Sequence, residues 1–130
     1  MPPELTALAC AVLIQSLTIG AYSVVGNLEL GPRVTTGPRD GKLPPISVRL
    51  GRLMRAVTNG FEGLVMFAPA ALIIAISGQS TPITAVAAWV YVAARILYVP
   101  AYAFGWRPWR SAIWGIGFLA TLTMIVASLI

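Results

Sequence analysis

The sequence predicts an all-α integral membrane protein, a bundle of four transmembrane helices. Three observations predict it. The 130 residues are 58% apolar and only 10% charged, with a mean hydropathy of +0.83, whereas soluble domains average about 45–50% apolar and about 25% charged. Eight of the thirteen charged residues crowd between Glu29 and Arg55. The stretches on either side are long, apolar and nearly free of charge, and a helix needs about 20 such residues to cross a bilayer.

Residues 5–28 carry no charge and form the first span. The start, Met1-Pro2-Pro3-Glu4, lacks the cationic region of a signal peptide, and the apolar run is too long for one. This helix is therefore expected to be retained. Residues 29–55 form a loop rich in Gly, Pro and charge. Ser47 is placed to cap a helix that begins in water and enters the membrane near Arg55. The second span, 56–77, has Glu62 as its only charge, and the turn from Gly78 to Pro82 has none. The third span, 83–104, contains Arg95 alone. Gly105-Trp106-Arg107-Pro108-Trp109-Arg110 reads as a basic turn whose tryptophans suit an interfacial belt. The fourth span, 111–130, is uncharged. Residues 1–130 form one domain by length, without a repeat of fixed period.

Orientation follows from the cations. The first connection through Arg55 holds six Lys and Arg, the third holds two, and the second turn and both termini hold none. The positive-inside rule puts the first and third connections in the cytoplasm and both termini on the other side. A net charge of +5 would suggest nucleic-acid binding in a soluble protein. Here most of the charge sits in one loop, so no nucleic-acid partner is expected. The chain has no histidine, and Cys10 is its one cysteine. That removes His-based catalysis, intrachain disulfides and nearly every zinc, haem or iron–sulfur site, so no metal is expected.

Charges inside a span are the informative residues, because each must face protein or water. Glu62 lies about 10 Å past Arg55 along its helix, and Arg95 about 15 Å before Gly105. Both therefore occupy the cytoplasmic half. Arg52, Arg55, Asn59 and Glu62 are spaced 3, 4 and 3, which puts them on one stripe of the second helix. Arg95, Tyr98 and Tyr102 share a stripe of the third, and Tyr91 extends it one turn deeper. Arg110 and Ser111 open the fourth helix at the same membrane face. Together they predict a cationic, hydrogen-bonding cavity open to the cytoplasm. Two readings are open: Glu62 and Arg95 form a buried ion pair holding two helices in register, or the excess of cations binds an anionic ligand.

These residues resemble a family signature. The segment Arg52-Leu-Met-Arg55-Ala-Val-Thr-Asn59-Gly-Phe-Glu62 is similar to the Arg-x-x-Arg-Ala-x-x-Asn-x-x-Glu of MAPEG, the membrane-associated proteins in eicosanoid and glutathione metabolism. The segment Arg95-Ile-Leu-Tyr98-Val-Pro-Ala-Tyr102 resembles its Arg-x-x-(Tyr or His)-x-x-x-Tyr stretch, and Arg110-Ser111 the Arg-Ser that begins its fourth helix. The length and the loop Gly37-Pro-Arg-Asp40 look most like the small bacterial branch, which implies a bacterial inner membrane. The resemblance implies a homotrimer with glutathione in an intersubunit cleft open to the cytoplasm. Carried over by motif position, Arg52, Arg55, Asn59, Glu62, Arg95, Tyr98 and Tyr102 bind glutathione. Arg110 and Ser111 become the candidates for activating its thiol. The small residues Ala56, Gly60 and Gly63 permit the close helix approach such an assembly uses. The implied function is a glutathione-dependent transferase or peroxidase acting on lipophilic electrophiles that arrive from the lipid. The alternative is a non-catalytic scaffold or accessory subunit of a larger membrane complex, since the family includes such helpers. A small transporter or channel fits less well, because the charge cluster offers no path through the outer half.

Overall fold

The computed structural model describes residues 1–31, 47–103 and 109–130, apart from the side chains of 99, 101–103, 109 and 110. The predicted loop cations Arg33, Arg39 and Lys42, and the belt of Trp106 and Trp109, lie outside what is described. Four helices follow in order: α1 Pro3–Leu30, α2 Val48–Ser77, α3 Pro82–Ala103 and α4 Trp109–Leu129. The spans expected at 5–28, 56–77, 83–104 and 111–130 each fall on one of them. Three helices are long and apolar enough to cross a membrane by length and composition: α1, α2 and the part of α4 from Ser111. In α3 the apolar run with described side chains is the shorter Pro82–Tyr98, although its backbone continues to Ala103. The chain is an all-helical membrane bundle.

The helix ends obey local chemistry. Ser47 caps α2 as expected, its Oγ accepting from the Leu50 N–H at 3.0 Å. The same hydroxyl donates to the Glu29 carboxylate at 2.7–2.8 Å, and Arg49 Nη2 donates to it at 3.0 Å. One carboxylate thus ties the end of α1 to the start of α2. Helix therefore occupies both ends of the segment read as the 29–55 loop. Gly78 closes α2 at φ +69°, where a side chain would be strained, and Gln79 N–H returns to the Ile74 carbonyl at 3.1 Å. Thr81 then opens α3, accepting from the Thr84 N–H at 3.2 Å.

The middle of the bundle is the α2–α3 pair, with α1 and α4 on opposite sides of it; each outer helix packs on both inner ones. Much of the core is alanine: Ala7 and Ala11 of α1, Ala70 and Ala71 of α2, and Ala87 and Ala88 of α3 are all buried. Small residues let helix backbones approach closely where lipid supplies no hydrophobic drive between them. Phe67 and Tyr91 fill the centre as a parallel stack, centroids 4.0 Å apart. The outer surface is apolar, carrying exposed Leu13, Leu17, Val65, Ile76 and Leu119, as contact with lipid requires.

Two polar contacts were not foreseen. Glu4, read only as part of a start without cations, is fully buried and accepts from Thr84 Oγ1 at 2.6 Å and Ser80 Oγ at 2.9 Å. It fastens α1 to the α2–α3 turn. Gln15 Nε2 donates to the Val57 carbonyl at 2.9 Å, and its amide occupies the space that a side chain at Gly60 would fill. Ala56 is fully buried within the chain, and Gly63 faces the Tyr91 hydroxyl. Within the chain these small residues serve helix packing.

Candidate functional site

The predicted stripes do converge. A cavity of about 510 Å³ is lined by Arg55, Asn59 and Glu62 of α2, Tyr98 of α3, and Ser111 and Trp114 of α4. The spacing explains the α2 set: residues 3 and 4 apart stay on one helix face. Met54 and Thr58 complete the α2 wall. Thr58 was legible, standing three residues past Arg55, but its hydroxyl is spent on the Met54 carbonyl at 3.1 Å.

Arg95 is the anchor of the site. It is 7% exposed, and its Nη1 donates to Asn59 Oδ1 at 2.7 Å. Its guanidinium carbon stands 4.6 Å from the centroid of the Tyr98 ring, a cation–π distance. Its other terminal nitrogen, Nη2, is buried without a partner among the described residues. The ion pair with Glu62 does not form: Arg49–Glu29 is the salt bridge among the described residues, and Glu62 is exposed. The reason is register. Asn59, one turn nearer the N-terminus of α2, meets Arg95 where the helices cross and leaves Glu62 exposed between the two helices' cavities. Arg95 is thus a buried cation held by a neutral amide and a ring face, and a buried cation without a counter-charge is an attractive place for an anion or an electron-rich oxygen.

The remaining predicted residues divide. Ser111 is exposed on the cavity wall, and Arg55 is exposed and engaged in a contact of its own. Arg52 is half-buried and lines neither this cavity nor its neighbour. The side chains of Tyr102 and Arg110 lie outside what is described.

A second cavity, about 220 Å³, adjoins the first and shares Glu62, Tyr98 and Trp114 with it. Sequence reasoning missed it. Its apolar wall includes Met66, Ile113 and Phe118, and Trp114 stacks on Phe118 with centroids 5.2 Å apart. The available signal was a pair of glycines, Gly63 and Gly117, on helices flanking Tyr91. Chemically, the arrangement joins a polar, cationic compartment to an apolar one.

In comparisons with known proteins, the model of the MAPEG family matches residues 7–130, nearly the whole chain. Neither the curated proteins nor the solved structures gave a match.

Proposed function

The chain belongs to the MAPEG family, and on that premise we propose that it is a glutathione-dependent membrane transferase or peroxidase acting on lipophilic electrophiles. The family is one of membrane proteins that are glutathione-related transferases or their relatives. The observation that carries the reading is the convergence of Arg55, Asn59, Glu62, Tyr98 and Ser111 on one polar cavity. Its volume, about 510 Å³, falls in the usual range for small-molecule sites, about 300–1,000 Å³. Glutathione brings two carboxylates, one ammonium and a thiol. Arg55 is the carboxylate partner on this wall, since guanidinium binds carboxylate through paired charge-assisted bonds, while Arg95, on the wall of the adjoining cavity, acts on glutathione through Asn59, which its Nη1 holds. Glu62, exposed on the wall of this cavity, takes the ammonium. Arg52 and Tyr102 extend the binding set by motif position. Arg110 and Ser111 stabilise the thiolate, and each pKa unit of that stabilisation requires about 1.36 kcal/mol.

In this reading the protein is a homotrimer in a bacterial inner membrane, with its site open to the cytoplasm, both termini outside, and a lipophilic co-substrate arriving from the lipid. The test begins with calorimetric titration of glutathione into detergent-purified protein, followed by turnover of 1-chloro-2,4-dinitrobenzene. Arg55→Ala should weaken glutathione by about 1.5–3 kcal/mol, the loss of a charged hydrogen bond. Ser111→Ala should spare binding and slow turnover. No binding at millimolar glutathione would overturn the reading. A cysteine placed in the 35–42 loop should label from the cytoplasm, and labelling from outside would reverse the orientation. One feature favours the second reading, a non-catalytic subunit: Ser23–Leu28 at the end of α1 offers no cation to the thiol. Glutathione binding without turnover would support it.

A further inference from the structure

The smaller cavity has a floor and a mouth of different chemistry. Its floor is Tyr91, Arg95 and Thr121, which are 3%, 7% and 2% exposed. Its mouth is flanked by Met66 and Trp114, 41% and 43% exposed at the bundle surface. Two polar atoms on the floor, Tyr91 Oη and Arg95 Nη2, are buried without a partner among the described residues. Tyr91 and Arg95 are four apart on α3, so they share one helix face. Glycine on both neighbouring helices makes the room: a Cβ at Gly63 would come 2.7 Å from the Tyr91 hydroxyl, and one at Gly117 would come 3.6 Å from the Tyr91 ring. Buried donors without acceptors are costly and rare. The walls between this floor and the mouth, Met66, Ala94, Ile113 and Phe118, are apolar, so the site suits a molecule with one polar end and an apolar body.

We propose that this cavity binds the lipophilic second substrate, a carbonyl compound about one ring in size, with its oxygen accepting from Tyr91 Oη and Arg95 Nη2. A cavity of about 150 Å³ admits benzene, so about 220 Å³ takes a ring with a short substituent. The chemistry rests on the glutathione reading above; the binding does not. The two cavities share Glu62, Tyr98 and Trp114, so a thiol in one adjoins a carbonyl compound in the other. With an α,β-unsaturated ketone, the thiolate sulfur bonds to the β-carbon and the alkene pair shifts to leave an enolate on the carbonyl oxygen. The proton lost by the thiol ends on the α-carbon, and no oxidant or reductant is needed. The charge developing on oxygen falls beside a buried guanidinium, where fixed donors favour the transition state over the neutral ketone.

The test has two arms. In the first, 4-phenyl-3-buten-2-one and glutathione are the substrates. Tyr91→Phe, which keeps the ring stack, should lower kcat/KM for the enone about three- to tenfold, as for one lost hydrogen bond, with the glutathione Kd unchanged. Ile113→Trp, at a half-buried wall position, should raise the enone KM by blocking the cavity. Unchanged enone kinetics in both variants would overturn the proposal. In the second arm, crystals of the full chain are soaked with 4-bromoacetophenone in the absence of glutathione. A bromine anomalous peak between Met66 and Phe118 supports the site. A peak only in the outer α3–α4 groove by Ile83 and Leu119, or ordered water alone in the cavity, overturns it. If glutathione fails to bind, the function reading falls, while the bromine position still decides this site.

Discussion

Asn59→Ala tests the account of Arg95 most directly. The Asn59 Oδ1–Arg95 Nη1 bond is 2.7 Å long and joins α2 to α3 at a guanidinium that is 7% exposed. A hydrogen bond to a charged group is worth about 1.5–3 kcal/mol. Interhelical hydrogen bonds in membrane proteins run lower, averaging about 0.6 kcal/mol with a maximum near 1.7, because the unfolded chain also finds partners. The charge and the burial put this bond at the top of that range, about 1.5 kcal/mol. For a chain of 130 residues that corresponds to a fall in Tm of about 6 °C. The clean measurement is a double-mutant cycle, with Asn59→Ala, Arg95→Met and both together, followed by thermal unfolding in one detergent. A coupling energy of about 1.5 kcal/mol is expected. A coupling below about 0.5 kcal/mol would refute the reasoning and return Arg95 to some other partner, Glu62 first. Glutathione should still stabilise the Asn59→Ala protein, but less, since Asn59 also lines the polar cavity.

Other outcomes follow from the same contacts. Glu62→Gln should leave the stability in the absence of ligand within about 0.5 kcal/mol of the parent, as for an exposed side chain away from packing; a fall in Tm of several degrees would mean that it is Arg95's counter-charge. Ser47→Ala removes both the cap of α2 and the hydrogen bond to Glu29, and should cost about 1–2 kcal/mol, read as a lower Tm. Gly60→Ala sets a methyl on the Gln15 amide and should cost about 1–3 kcal/mol. Gln15→Ala in the same chain should recover part of that loss by making room.

The amino-acid sequence determined the class of structure, and the reason is the bilayer. A chain with so little charge, gathered in one loop, has few solutions other than apolar helices that satisfy their own backbone. It also determined the local punctuation: Ser47 as a cap, Gly78 to Pro82 as a turn, and the spacing of 4 and 3 that keeps Arg55, Asn59 and Glu62 on one cavity wall. Each of these depends on neighbours within a turn or two, so a linear reading reaches it. The tertiary structure decided which residues meet. A helical stripe says which face a side chain occupies, not where along it the next helix crosses, and so Asn59 rather than Glu62 received Arg95. Glu4 looked like a charge at a span's edge until α1 packed on the α2–α3 turn and buried it against Thr84. The apolar cavity beside Tyr91 was beyond reach for the same reason. Space is a property of three helices at once, and the two glycines that open it stand more than fifty residues apart.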